Sequence, residues 1–206
     1  LARGSGQYVV VSNADVIPRP EALQALVAAS RTVGGAGMIG PVFDNDSNTY
    51  HDNLPSRFTL IIRTGIGRYG SRSVDLPSWG QISVVQQPAG ACFLMTRALW
   101  TEVGGLDEGY FLWYEDVDLA HRLHDAGKVG LVVGDARVEH VGGESFAKIG
   151  NRAKQSIRID SLRRYISLHH RRLMCLAAPL LWLSERVRGE GRRSAGSPPP
   201  SIRPAR

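Results

Sequence analysis

Cysteine is scarce in this chain. Cys92 and Cys175 are the only two among 206 residues, and each sits in an apolar run. Thiols so placed are expected to pack as small hydrophobes, which excludes a disulfide framework and a cysteine-ligated metal and fits a reducing, cytosolic compartment. Long hydrophobic stretches are also missing: the apolar run over residues 173–183 is far shorter than the ~20 residues a membrane-spanning helix needs. No basic segment, apolar core and small-residue cleavage site open the chain. It starts at Leu1 and runs through Gly4-Ser-Gly-Gln directly into Tyr8-Val-Val-Val11, so it is expected to be a portion of a longer protein.

Charge is unevenly placed. Residues 1–147 hold 11 Lys/Arg against 16 Asp/Glu, and residues 148–206 hold 14 against 3. An acidic body with a basic tail points to anionic lipid or nucleic acid as the tail's partner. The tail lacks interleaved aromatics and the body is acidic, so nucleic acid is set aside.

The pattern along residues 1–150 alternates strand and helix. Gln7-Tyr-Val-Val-Val11 is a β-branched run broken by Ser12-Asn-Ala-Asp15, which puts Asn13 and Asp15 past the carboxyl end of a strand, where open α/β sheets bind ligands. Residues 18–30 predict a short amphipathic helix, with Leu23, Leu26 and Val27 at helical spacing. Residues 38–43 and 88–95 predict strands, with Thr96 capping a helix over 97–103. Residues 129–133 predict one strand, and Ala136, Val138 and His140 alternate along another. Residues 44–77 show no period, which predicts a functional loop or elements without a sequence signature. This order defines an α/β domain over residues 1–150.

Beyond it, residues 151–188 predict a basic helical region. Ile157, Leu162, Tyr165, Ile166 and Leu173 form an apolar stripe among arginines, suited to an anionic membrane surface over residues 154–188 or to docking on the domain. His169-His170-Arg-Arg172 has no acid or cysteine beside it and is expected to be solvated or lipid-facing rather than metal-binding. Residues 189–206, rich in Pro, Ser, Gly and Arg, are expected to be disordered.

The densest chemistry lies at Gly104-Gly-Leu-Asp-Glu-Gly-Tyr-Phe-Leu-Trp-Tyr-Glu-Asp-Val-Asp118. Five carboxylates and four aromatic rings crowd into this stretch, which ends at a predicted helix start. An ordinary helix start uses one or two acids and gains nothing from exposed rings, so the block reads as a site. Asp118 is spaced to pair with Arg122 one turn on, a structural role. Read singly, Asn13 and Asp15 also suit a turn, Glu115 and Asp116 also suit first-turn acids, and His140 and Trp113 also suit a core.

Three segments together carry a resemblance: residues 6–16, residues 88–119 and Val138-Glu-His-Val-Gly-Gly-Glu-Ser145. They resemble the family 2 glycosyltransferases of the GT-A fold, a Rossmann-like architecture, and in particular the bacterial rhamnosyltransferase-like members. The resemblance implies inverting transfer of a sugar, with rhamnose the candidate, from a nucleotide-diphosphate donor to a lipid- or polysaccharide-linked acceptor in cell-wall or surface glycan synthesis. It implies Mg²⁺ or Mn²⁺ held by Asp15 and His140, with Asn13 in place of the family's first acid. Asp116 would be the general base, with Glu115 orienting the acceptor. Asn13, Asp15 and Gly90 would meet the donor, and Phe111, Trp113 and Tyr114 would stack on acceptor sugars. The family's first strand–helix–strand segment, which reads the nucleotide base, is not matched, so this chain alone is expected to bind a nucleotide sugar poorly. A peripheral position on the cytoplasmic membrane face is the expected location.

Overall fold

The computed structural model describes residues 4–44, 51–64, 75–141 and 150–189. Its strands are β1 (Tyr8–Ser12), β2 (Val16–Pro18), β3 (Ala36–Phe43), β4 (Ile82–Val85), β5 (Cys92–Thr96) and β6 (Val129–His140). They join in one sheet in the order β1-β5-β3-β6-β2, with β4 paired to the first part of β6. β3 and β6 run parallel and the other pairs antiparallel.

Alternation of side chains gives the sheet two apolar faces. Ile39, Leu94, Leu131, Val133 and Val138 pack on one side against Leu26 and Ala29 of α1 (Ala22–Thr32). Met38, Phe93 and Met95, one residue out of step, face the other side. There they meet Leu99 of α3 (Arg97–Glu102) and Leu119 and Leu123 of α4 (Glu115–Asp125). A sheet apolar on both faces must be covered by helices on both, which is the α/β arrangement. The Thr96 hydroxyl caps α3 as expected, accepting from the Leu99 N–H at 3.3 Å.

Two expectations need correction. β6 is one strand, not two. Within it, a Cβ on Gly134 would collide with the Ser78 carbonyl oxygen, so glycine serves a close crossing of two backbones. Register against β3 jumps there, from Pro41↔Val133 to Val42↔Arg137, as at a bulge. The aperiodic stretch over 44–77 holds an element without a sequence signature, one of the two alternatives expected there: α2 (Arg57–Thr64), with Leu60 fully buried. Cys92 is packed, but Cys175 is exposed.

The basic helical region is two helices, α5 (Asn151–His169) and α6 (Met174–Gly189), joined by a 3₁₀ turn at Arg171–Leu173. Its apolar stripe is consumed by the protein itself. Ile159, Leu162, Tyr165 and Ile166 bury against Tyr110, Tyr114 and Val117, and Leu60, Leu173, Ala177 and Leu181 complete that cluster. Arg164 forms a two-nitrogen clamp on Asp107, with contacts of 2.7–2.9 Å. No described helix is long and apolar enough to cross a membrane. Residues 142–145 of the third motif segment and the tail beyond 189, expected to be disordered, lie outside the described residues.

Candidate active site

Two backbone crossings assemble the site. Past β1 the chain turns at Asn13, whose N–H donates to the Ala91 carbonyl at 2.8 Å and whose carbonyl accepts from Val16 at 3.3 Å. β2 then pairs with the end of β6, Val16 opposite His140, and the Val141 N–H donates to the Asp15 carbonyl at 2.9 Å. This register brings the side chains of Asp15 and His140 together, Oδ1 to Nε2 at 3.2 Å. One carboxylate beside one imidazole, both reachable from solvent, suits a small divalent cation that takes few protein ligands and fills its shell with phosphate and water.

The second crossing positions Asp116. Trp113 and Tyr114, with φ of 62° and 69°, are consecutive non-glycine residues in the left-handed region. That conformation costs of order 1–3 kcal/mol per residue and persists only where surroundings enforce it. Here α5 enforces it. The buried Tyr114 ring packs on Tyr165 at 5.5 Å, and the Ser161 hydroxyl donates to the Leu112 carbonyl at 2.7 Å. The chain then enters α4 with Glu115 and Asp116 in its first turn.

Asp116 is held on three donors. Its Oδ2 accepts from the Gly90 N–H at 3.2 Å and from Gln87 Nε2 at 3.3 Å, and its Oδ1 accepts from the Val117 N–H at 2.8 Å. Burial pushes the carboxyl up, and these donors only partly pull it back. A carboxyl raised in this way holds a proton more readily. The close approach that Gly90 permits is to this carboxylate: a Cβ there would sit 2.6 Å from the Asp116 Cβ. Because Ala91 holds Asn13 and Gly90 holds Asp116, adjacent residues tie the two halves of the site together.

Glu115 is half-buried, and its Oε2 is buried without a hydrogen-bond partner among the described residues. Burial, then the neighbouring Asp116, raise it from 4.5 to about 7. The folded state therefore binds this proton more tightly than the unfolded state. The favourable effect is full below about 4.5 and is lost as pH rises through about 7. Glu115→Gln removes the slope. In urea unfolding the variant matches wild type near pH 4 and exceeds it at pH 8 by on the order of 2–3 kcal/mol.

Asp118 takes the structural role its spacing predicts. Burial acts to raise it, but His169 and Arg122 outweigh that and hold it below the usual carboxylate range. Arg122 Nε donates to it at 2.9 Å, and the same guanidinium reaches the Val103 and Gly105 carbonyls. Of the three rings expected at the acceptor, Phe111 is 73% exposed, Trp113 is half-buried, and Tyr114 is a core residue at 7%. Tyr114 has no face to offer a sugar.

Sequence reasoning missed His51. Buried in the aperiodic stretch, its Nδ1 accepts from the Ala89 N–H at 2.9 Å, and burial lowers its pKa to about 4, so it stays neutral. It braces the backbone that carries Gly90. No periodicity or motif marked it. A cleft of about 640 Å³ opens elsewhere, between residues 104–108 and the end of α5, and neither Asp15, Asp116 nor His140 lines it.

The architecture is that of an α/β protein in which Asp15, past the end of β1, meets His140 at the end of β6, and Asp116 is tied to the Asn13 turn through Gly90 and Ala91. Comparison with known proteins gives the family: the profile described as "Glycosyltransferase like family 2" matches residues 1–158, and the chain belongs to that family. It is 30% identical over 184 residues to the N-acetylglucosaminyl-diphospho-decaprenol L-rhamnosyltransferase of Mycobacterium tuberculosis (strain ATCC 25618 / H37Rv), covering 85% of this chain and 59% of that protein. It is 26% identical over 123 residues to Rhamnosyltransferase WbbL of Escherichia coli (strain K12), covering 58% of this chain and 47% of that protein. The chain thus spans 59% and 47% of the lengths of these curated relatives. Its fold is similar to the crystal structure of GalNAc-T7 with UDP, GalNAc and Mn²⁺, with a TM-score of 0.57 and 16% identity, covering 79% of this chain and 31% of that one. The GT-A glycosyltransferase fold expected from the resemblance is the fold observed.

Proposed function

We propose that this chain carries the catalytic base and the metal-holding residues of an inverting glycosyltransferase. Its donor is a nucleotide-diphosphate sugar, with rhamnose favoured by the relatives' names, and its acceptor is a lipid-linked glycan. The observation that carries this reading is the Gly90-Ala91 dipeptide. It holds Asp116 on one residue and Asn13, two residues from Asp15, on the next.

Asp116 removes the proton from the acceptor hydroxyl. That oxygen forms a bond to the anomeric carbon from the face opposite the diphosphate, whose bond to the same carbon breaks and leaves with the electron pair. Asp15 and His140 would hold Mg²⁺ or Mn²⁺, which supplies positive charge to the departing diphosphate. Glu115 sits beside the base to orient the acceptor, and the exposed Phe111 offers a ring for a sugar face.

We place the enzyme at the cytoplasmic membrane face. The apolar stripe expected to meet lipid is largely buried, so contact falls to the exposed Leu176, Trp182 and Leu183 of α6, near the exposed Arg171 and Arg172. The test presents full-length protein with nucleotide-diphosphate rhamnose and a polyprenyl-diphosphate-linked sugar in anionic vesicles. Co-sedimentation, divalent-dependent transfer and an inverted anomeric signal by NMR are expected. Retention of configuration, or sugar binding with no turnover across a panel of donors, would overturn the reading; the latter result would mark a non-catalytic binding module.

A further inference from the structure

Two imidazoles and a carboxylate converge away from the site described above. His121 and Asp125 stand one turn apart on α4, and His169 is the last residue of α5. One potential ligand atom from each lies within 4.8 Å of the other two. His121 Nε2 is 3.8 Å from Asp125 Oδ2, and the His121 and His169 rings stack with centroids 4.1 Å apart.

One nitrogen of each ring is already engaged. His121 Nδ1 lies 2.7 Å from the Tyr165 hydroxyl, and His169 Nε2 lies 2.6 Å from Asp118 Oδ1. Tyr165 and Asp118 are both buried, so these partners hold the rings in place. For His169 this is the outer-shell arrangement that ligating histidines use: Nε2–H donates to a carboxylate, which leaves Nδ1 for a metal. The Tyr165 hydroxyl positions the adjacent His121 ring, which has the Asp125 carboxylate alongside its Nε2.

Access is open from two directions. The Asp125 side chain is 65% exposed, and His169 lines the cleft of about 640 Å³ beside residues 104–108. His170 meets the His121 ring edge-on at 5.4 Å and keeps a buried Nε2 without a hydrogen-bond partner among the described residues.

We propose that His121, Asp125 and His169 form a binding site for a borderline transition-metal ion of the Zn²⁺ class, distinct from the Asp15–His140 pair. Two imidazoles and one carboxylate match the nitrogen-rich sets that Zn²⁺ takes and that Mg²⁺ does not. The two sites share no residue: Asp15 and His140 meet across β2 and β6, whereas this cluster joins α4 to α5. Its consequence is mechanical. An ion here pins α5, the helix that holds the left-handed Trp113-Tyr114 pair ahead of Asp116.

The test uses untagged, chelator-stripped full-length protein, titrated with Zn²⁺ and separately with Mg²⁺ by calorimetry and thermal unfolding. An Asp15→Asn/His140→Ala double variant serves as the background, so the other candidate metal site is removed. One equivalent of Zn²⁺ is expected to bind in this background and raise Tm, while Mg²⁺ at the same concentration does not. Asp125→Asn, a surface change that should not disturb folding, and His121→Gln, checked by circular dichroism, are each expected to weaken Zn²⁺ binding tenfold or more. Absence of the Zn²⁺ equivalent in the double variant, or undiminished affinity in Asp125→Asn and His121→Gln, would overturn the proposal.

Discussion

Asp116→Asn lowers sugar transfer by roughly 10²–10⁴-fold, the range over which a positioned general base contributes. The substitution keeps size and shape, but its amide nitrogen cannot accept, so one of the Gly90 and Val117 N–H groups keeps an oxygen acceptor and the other loses it. What is lost is the capacity to take a proton from the acceptor. The carboxyl is poised for proton transfer, because burial raises it and three donors keep it from rising further. Its oxygens rest on Gly90, Gln87 and Val117, whereas Asp15 and His140 meet across β2 and β6. Donor and cation affinity are therefore expected to stay within a few-fold of wild type while kcat falls, which assigns the loss to the chemical step.

Tyr165→Ala destabilises the protein by about 3–5 kcal/mol, the cost of removing a large aromatic from a packed core. Tyr165 has no exposed surface and packs against Tyr114, His121, His169 and His170. Its loss leaves a cavity between α4 and α5 and releases the Tyr114 ring, so the left-handed pair before Asp116 loses a support. Tyr165→Phe keeps the ring and removes only the hydroxyl bonded to His121, at a cost of about 1 kcal/mol. Urea unfolding of the two variants separates packing from hydrogen bonding. A Tyr165→Ala loss below about 1 kcal/mol would show that α5 is not integral to the fold.

Local physics makes part of this structure legible. The out-of-step residues of β3 and β5, Met38 against Ile39 and Phe93 against Leu94, declare two apolar faces, and Thr96 and the Asp118–Arg122 spacing act as their local chemistry dictates. The parts that are not legible depend on what lies across space. The single strand β6 looks like two because the Ser78 carbonyl that demands a glycine at 134 lies far upstream. Tyr114 looks like a ligand-facing ring in a run of aromatics, and only the docking of α5 makes it core. Cys175 looks buried because its neighbours are apolar, yet α6 buries Ala177 and Leu181 and turns Cys175 and Leu176 outward. His169 and His170 look unaccompanied in sequence, and the acids that face His169 come from α4. The proximity of Asp15 and His140 follows from resemblance alone, since no local pattern links the start of the sheet to the end of β6.

Asp116 as the base is the centre of this account. The measurement that tests it most directly compares full-length wild type and Asp116→Asn side by side, with donor binding measured by calorimetry in the presence of Mn²⁺ and transfer measured by mass spectrometry of the acceptor. The expected result is matched donor affinity with transfer reduced at least about a hundredfold in the variant. Transfer within about tenfold of wild type, with donor affinity unchanged, would contradict it.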